Sequence, residues 1–269
     1  MSSDPKTSEQ FVSALARGLA VIEAFGNGSE ALSLSDIARR ANISRAATRR
    51  LLLTLVTLGY AAFDGKRFSL LPRVLALGFA YLSSVTVWDV ARPLLQELVY
   101  ETGESGSAAV LDGNDIVHVI RMPSQRRLMS IIVKEGDRLP AHASAMGRVL
   151  LAALPQAELD AWFTRAELKA ITPRTVTDPA ALRRILDDVR VQGWAEVDGE
   201  LDLGLKAIAV TVTERDGRVV GAMALSTLST TTAFIQSDQE AINPLLDPLQ
   251  RYSRKIREAT ILLPRLPAG

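Results

Sequence analysis

Apolar positions recur along this chain with two periods, one helical and one of strands, and the changes between them mark its elements. From Phe11 to Phe25, Val12, Leu15, Leu19, Ile22 and Phe25 keep helical spacing until Gly26-Asn27-Gly28 stops them, and this stripe is expected to be core. Ser33 and Asp36 lie ahead of Ile37 and Ala38 at the spacing of a capping box, closed by Asp in place of Glu. The helix they start runs to about Ala41, where Asn42-Ile43-Ser44 breaks it. Ser44 then caps a second helix ending at Gly59, with Ala47, Leu51, Leu55 and Leu58 as the predicted buried face. Two β-prone runs, Tyr60–Phe63 and Arg67–Leu70, flank Asp64-Gly65-Lys66, a strong hairpin signal. Two short helices around a tight turn, followed at once by a hairpin, predict a winged helix-turn-helix over 11–71.

Pro72 opens a further helix, expected over 72–85, with Val74, Leu75, Leu77, Phe79 and Leu82 on more than one side. Such a helix between domains wants a second surface, either another copy of the chain or the C-terminal domain of its own. A second domain is expected over 86–269. It begins with an amphipathic helix ending at Gly103, followed by two strands joined at Asp112-Gly113-Asn114 and a strand at Leu128–Val133. Ser144 caps a helix to Leu154, Pro155 starts the next, and Asp178-Pro179 a third. A short strand from Trp194 precedes a hairpin with Asp216-Gly217 at its tip, and a final helix spans about Asp238 to Leu262, with Pro244 and Pro248 delaying or bending it. Helices bracketing a largely antiparallel sheet make an α+β sandwich.

Composition narrows the chemistry. A chain of 269 residues with 48% hydrophobic and 23% charged residues suits two globular domains. Cysteine is absent, which excludes disulfides, thiolate metal sites and cysteine nucleophiles and suits the cytoplasm; two histidines, His118 and His142, are too few for a histidine metal site. No apolar run reaches the roughly 18 residues of a membrane span. The opening MSSDPKTSEQ has no signal-peptide order and reads as a disordered leader, 1–10.

Charge changes the picture only locally. The whole chain carries +1, but from Arg39 to Arg73 eight Lys/Arg stand against one acid, Asp64, for a local +7. A dense basic stretch inside a balanced chain points to a polyanion, here double-stranded DNA. Arg45, Thr48 and Arg49 in the first turns of the second helix are the candidates for base edges, since Arg bonds guanine bidentately. Ser44, Arg50, Lys66 and Arg67 are assigned to phosphates, the last two at the wing tip. Arg17 either touches a phosphate or is simply solvated.

The segments FVSALARGLAVIEAF, ISRAATRRLLLTLVTLGY, FSLLPRVLALGFAYLSS and LPAHASAMGRVLLAAL resemble the isocitrate lyase regulator (IclR-type) family of bacterial transcription factors. They look most like its subgroup controlling the protocatechuate and β-ketoadipate pathways. The resemblance implies a GAF-like C-terminal domain that binds a small aromatic or dicarboxylic acid and assembles a homo-oligomer, a dimer or a dimer of dimers. It also implies that the linker helix helps the DNA-binding domains pair. By the same resemblance the carboxylate meets the backbone N–H groups of Ala145 and Met146, where a helix start favours an anion. Leu128, Ile131, Leu139 and Leu205 then form the wall, Ser226 donates a hydroxyl, and His142 stands near, as ligand contact or as structural histidine. Ala224 and Ala207 stand where related sequences often carry polar groups, leaving a less polar pocket.

Other polar candidates are Arg121, Arg126, Asp198 and Glu200. Paired carboxylates such as Asp198 and Glu200 can do acid–base work, but nothing nearby supplies a nucleophile, metal site or cofactor loop. Gly103-Glu104-Ser105-Gly106 lacks nucleophile-elbow spacing. The expectation is a ligand-responsive regulator with no enzyme activity and no cofactor. A DNA-binding adaptor with a purely protein-contacting C-terminal domain, and a small-molecule enzyme on a GAF-like domain, are the alternatives.

Overall fold

The computed structural model of the chain describes residues 11–26, 31–77, 87–124, 133–228 and 239–260, without the side chains of 239–243. The expected leader, most of the linker helix and residues 128–132 of the strand expected at Leu128–Val133 lie outside them. The chain divides into two compact units, Met1–Ser84 and Val85–Gly269.

The first unit holds α1 (Ser13–Glu23), α2 (Leu34–Ala41), α3 (Arg45–Thr57) and a hairpin of β1 (Ala61–Phe63) and β2 (Phe68–Leu70). Ser33 Oγ accepts from the Asp36 backbone N–H at 3.3 Å and donates to the Asp36 carboxylate at 2.6 Å, closing the start of α2. Asn42, at φ 52°, ends that helix in the left-handed region. After α3, Gly59 takes φ 76° and the Tyr60 N–H reaches back to the Leu55 carbonyl at 2.8 Å, which is a Schellman stop. The hairpin pairs Ala61 with Leu70 and Phe63 with Phe68, and Leu32 bridges Phe68 from outside, adding a third short edge. Val21, Phe25, Leu32, Ile37, Leu52, Leu55, Ala61 and Phe68 make the core. The winged helix-turn-helix is therefore observed.

Two predicted faces need correcting. On α1 the buried residues are Val21, Ala24 and Phe25, whereas Val12, Leu15 and Leu19 stand exposed, Leu15 at 63%. Of the predicted stripe only Ile22 and Phe25 reach the core, joined there by Val21 and Ala24. On α3 the inner face is Thr48, Leu52 and Leu55, with Ala47 and Leu51 at its margin and Leu58 exposed. Three consecutive leucines, 51–53, allow either rotation of the pattern.

In the second unit, α4 (Val87–Thr102) precedes β3 (Ser105–Asp112) and β4 (Asp115–Met122). After β5 (Arg138–Pro140) and a 3-10 turn at Ala141–Ala143 come α5 (Ala145–Ala152), α6 (Gln156–Arg165) and α7 (Pro179–Gln192). The strands β6 (Trp194–Asp198), β7 (Leu205–Thr213) and β8 (Val219–Leu228) lead to α8 (Gln239–Thr260), which runs through Pro244 and Pro248. The six strands form one antiparallel sheet in the order β5-β4-β3-β8-β7-β6. Strand alternation gives the sheet two buried faces. Ile120, Ile208, Val210, Met223 and Leu225 pack with Trp88 and Leu95 of α4 and Leu249 and Tyr252 of α8. The other face is floored by alanines, Ala109, Ala195, Ala207, Ala209, Ala222 and Ala224, under α5, α6 and α7. Such small side chains leave room above the sheet. The expected helix-covered antiparallel sandwich is observed, with β5 an unforeseen edge strand.

Candidate functional site

The exposed face of α3 sorts the basic residues. At about 100° per residue, burying Thr48, Leu52 and Leu55 turns Ala46, Arg49, Arg50 and Leu53 outward, with Arg45 exposed in the first turn. Ser44 caps α3 by accepting from the Ala47 N–H at 3.4 Å. Thr48, expected at the base edges, lies inside the domain instead. It is 0% exposed, and its hydroxyl has no hydrogen-bond partner among the described residues. Ala46, not singled out in the sequence, takes its place on the outer face, where a methyl group suits a thymine methyl.

The hairpin tip is built on Asp64, whose Oδ1 accepts from the backbone N–H groups of Lys66 (2.8 Å) and Arg67 (2.7 Å). These bonds hold the Asp64 carboxyl below its ordinary range and leave both cationic side chains exposed. Three of the eight basic residues are occupied within the unit. Arg40 donates to the Ala24 carbonyl (3.1 Å) and Arg73 to the Leu58 carbonyl (2.8 Å), capping helix ends, while Arg39 pairs with Asp36 at 2.7 Å. Arg45, Arg49, Arg50, Lys66 and Arg67 remain.

In the second unit a cavity lies between the alanine floor and the start of α5. Its clear interior is about 50 Å³, and about 580 Å³ once the gaps between lining atoms and the open mouth are counted. Of the residues expected from the sequence, Leu139, Ala145, Met146, Leu205 and Ser226 line it, joined by Ser144, Ala207 and Ala224. Leu128, Ile131 and Arg126 lie outside the described residues. Ser144 Oγ accepts from the Gly147 N–H at 3.0 Å, and the N–H groups of Ala145 and Met146 take no partner among the described residues. Gly147 is required here, since a Cβ on it would stand 2.1 Å from the Ala141 carbonyl oxygen.

His142 does not line the cavity, correcting its assignment to the ligand. It is buried, with Nε2 3.1 Å from the Lys169 carbonyl oxygen, and desolvation holds its pKa below the ordinary histidine value. Its own carbonyl accepts from Arg148 Nε at 3.0 Å. The guanidinium of Arg148 reaches on to Glu200 at 2.7 Å, and Glu200 also accepts from the Val176 N–H at 2.9 Å. Asp198 faces Arg174 at 3.5 Å instead. The two carboxylates are thus spent on separate ion pairs and do not form an acid–base couple.

Sequence patterning missed the opposite wall, formed by Ser107, Ile116, His118, Arg121 and Val133, with Leu201 and Val197 beside it. Of the other polar candidates in the sequence, Arg121 is the one that reaches this wall. Its place depends on a bulge, because Ala108 pairs with Ile120 but Ala109 with His118, leaving Val119 as the extra residue. Ile116 and His118 face the cavity before the bulge, Ile120 faces the other core, and Arg121 returns to the cavity side beside its partner Ser107. Arg121 donates to Ser107 Oγ at 2.8 Å. Burial lowers the pKa of both Arg121 and His118, and the His118 ring lies 3.3 Å from the Asp137 carbonyl.

A winged helix with an exposed cationic face, joined to a helix-covered sheet enclosing a small cavity, defines a ligand-responsive transcription regulator. Residues 14–65 match the IclR helix-turn-helix domain, and residues 79–257 match the C-terminal domain of IclR bacterial transcriptional regulators. The chain belongs to the IclR family. It is 45% identical over 217 residues to the Pca regulon regulatory protein of Pseudomonas putida, covering 81% of this chain and 75% of that one. It is 36% identical over 260 residues to the p-hydroxybenzoate hydroxylase transcriptional activator of Acinetobacter baylyi, covering 95% and 94%. Among solved structures, an IclR homolog from Microbacterium hydrocarbonoxydans complexed with 4-hydroxybenzoate superposes with a TM-score of 0.79 at 25% identity, covering 93% of this chain and all of that one. These relatives are regulators by name, not enzymes. Among the described residues, no helix is long and apolar enough to cross a membrane and no cluster of metal-ligating side chains occurs.

Proposed function

We propose that this regulator docks on operator DNA through Ser44, Arg45, Arg49 and Arg50 of α3 and through Lys66 and Arg67 of the wing. Its cavity, on the same proposal, takes a small aromatic or dicarboxylic acid. The observation that carries the first half is the division of the basic residues. Arg39, Arg40 and Arg73 are taken up by partners within the unit, and the remaining five are all on the exposed face of α3 or the wing tip. Phosphate contacts by such groups set register, and the outward Arg49 and Ala46 are placed for bases. The second half is supported by the N–H groups at the start of α5, which take no partner among the described residues, by the Ser226 hydroxyl, and by the relatives. One relative is named for p-hydroxybenzoate hydroxylase and a structural neighbour holds 4-hydroxybenzoate.

The protein acts as a homo-oligomer in the cytoplasm, a dimer or a dimer of dimers. The exposed Val12, Leu15 and Leu19 of α1, with Leu75 and Leu77 after the hairpin, support pairing of the 11–71 domains about a two-fold axis. A linker over 72–85 then carries the ligand's effect from the 86–269 domain. An effector changes DNA affinity only through unequal affinity for two domain arrangements.

The test is selection of duplexes from a randomised pool by the full chain, followed by anisotropy titration with and without 4-hydroxybenzoate, protocatechuate and adipate. A palindromic consensus with half-sites about one or more helical turns apart, and a shift in affinity with one of the acids, is expected. Enrichment of no sequence would remove the DNA assignment. A consensus unaffected by any acid would leave the adaptor reading in its place.

A further inference from the structure

We propose that α6 is a face on which two copies of the 86–269 domain pair, the two helices lying antiparallel about a two-fold axis at Ala161. The proposal rests on the homo-oligomer reading above and names a surface that reading leaves open.

A second cleft, which shares no lining residue with the ligand cavity, lies between α6 and the turn joining β3 to β4, with a clear interior of about 280 Å³. Leu111 and Leu154 supply its apolar ground. Two hydrogen bonds fasten the helix to the turn. Trp162 Nε1 donates to the Gly113 carbonyl at 3.1 Å, and Asn114 Nδ2 donates to the Arg165 carbonyl at 3.2 Å. The helix lines the cleft with Glu158, Ala161 and Arg165, all three exposed. A wall held in place in this way loses little freedom when a partner docks on it.

The charges on the helix select the partner. Of its ionised side chains, Asp160 is taken up by Arg183 at 2.6 Å, whereas those of Glu158 and Arg165 pair with nothing among the described residues. These two stand two turns apart, about 10 Å along one side of the helix. Their midpoint falls between Ala161 and Trp162, and Trp162 is buried, so Ala161 marks the middle of the outer face. Turned end for end about that point, a second α6 brings an arginine to Glu158 and a glutamate to Arg165. An isologous contact requires this kind of self-complementarity. The methyl group of Ala161 lets the two axes approach to about 8 Å. Thr164, on the same side, gives its hydroxyl to the Ala161 carbonyl at 2.7 Å and so asks for no polar partner. A foreign protein would need one base and one acid at this spacing; a second copy of the chain has them already. Two ten-residue helices bury less than a standard interface of roughly 1,600 Å². Pairing through α6 therefore adds to pairing of the 11–71 domains, and the assembly it completes is the dimer of dimers.

The experiment is a charge-reversal exchange on the full chain without DNA, read by sedimentation velocity and native mass spectrometry. Glu158→Arg and Arg165→Glu each set like charges face to face. Each alone should halve the mass of the largest assembly or raise its dissociation constant 10-fold or more. An equimolar mixture of the two variants puts opposite charges together again at both ends of the contact and should restore the assembly as a mixed complex. The double variant Glu158→Arg/Arg165→Glu should associate as the unaltered chain does. Single variants that assemble like the unaltered chain, or a mixture no heavier than its parts, overturn the proposal while the homo-oligomer reading stands. A chain that stays monomeric at every concentration removes both. Should a charge variant not fold, Ala161→Trp, which fills the crossing point, is read in the same way: a halved mass supports the proposal and an unchanged one overturns it.

Discussion

Arg148 and Glu200 meet at 2.7 Å with side chains only 4% and 9% exposed, and they join α5 and the turn before it to the loop that carries Leu201 and leads into β7. Desolvation pushes the Arg148 pKa down and Glu200 offsets part of that shift. The pair is thus costly to bury, and each partner depends on the other. Removing either one leaves a stranded charge, so Arg148→Met or Glu200→Leu should destabilise the effector domain by roughly 3–5 kcal/mol. The double variant should recover most of the loss. Denaturant unfolding of the three proteins checks this, and a double variant as unstable as the worse single one contradicts the account.

Thr48 and Arg49 are sequence neighbours with opposite roles. Thr48→Val replaces a buried hydroxyl that lacks a partner by a methyl group. It should leave stability unchanged or raise it by about 1 kcal/mol, with operator affinity held within about 2-fold. Arg49→Ala should cost about 1–3 kcal/mol in operator binding without lowering the melting temperature. Mobility-shift titration together with thermal melts separates the two effects. Weakened operator binding by a stable Thr48→Val protein would restore Thr48 to the DNA contacts.

Lys66 is held at the wing tip by its backbone bond to Asp64 and offers only charge. Lys66→Ala should weaken binding to all duplexes alike and lower the salt dependence of affinity by about one released counterion per subunit. A change in sequence preference without a change in salt slope would mean that the wing reads bases.

His118 and His142 are both held below the ordinary value of 6.5, chiefly by burial. As pH falls through that value the unfolded chain takes up protons that the folded chain refuses, so stability is full above it and declines below. The melting temperature should fall between about pH 7 and pH 5.5. In His118→Gln/His142→Gln the slope across that window should flatten. A slope unchanged in the double variant assigns the pH dependence to other groups.

The parts of this molecule carried by short-range signals were readable from the chain. Ser33, Asn42, Ser44 and Gly59 punctuate the two helices where the structure starts and stops them, and Asp64-Gly65 turns the hairpin. What escaped depends on contacts distant in sequence. The three leucines at 51–53 fit two rotations of α3, and only packing against Val21, Ile37 and Phe68 chooses the one that buries Thr48. Arg40 and Arg73 add to the charge of the basic stretch, and only their carbonyl partners, 16 and 15 residues away, show that they cap helices. The β4 bulge leaves no mark in DIVHVIRM, so which of its side chains faces the cavity could not be read from alternation. His142, with its carbonyl bonded to Arg148, belongs to the wall's support and not to its surface.

The alanine floor sets how this receptor can change its taste. Each of Ala207, Ala209, Ala222 and Ala224 sits under the helices with nothing larger than a methyl group to give up. Ala207 and Ala224 line the cavity, and there one added oxygen, as in serine, wets the chamber and two added carbons, as in valine, trim it in small steps while the strand hydrogen bonds stay as they are. Successive regulators on this frame could therefore drift from one metabolite to the next by minor renovation, keeping the promoter-reading half untouched.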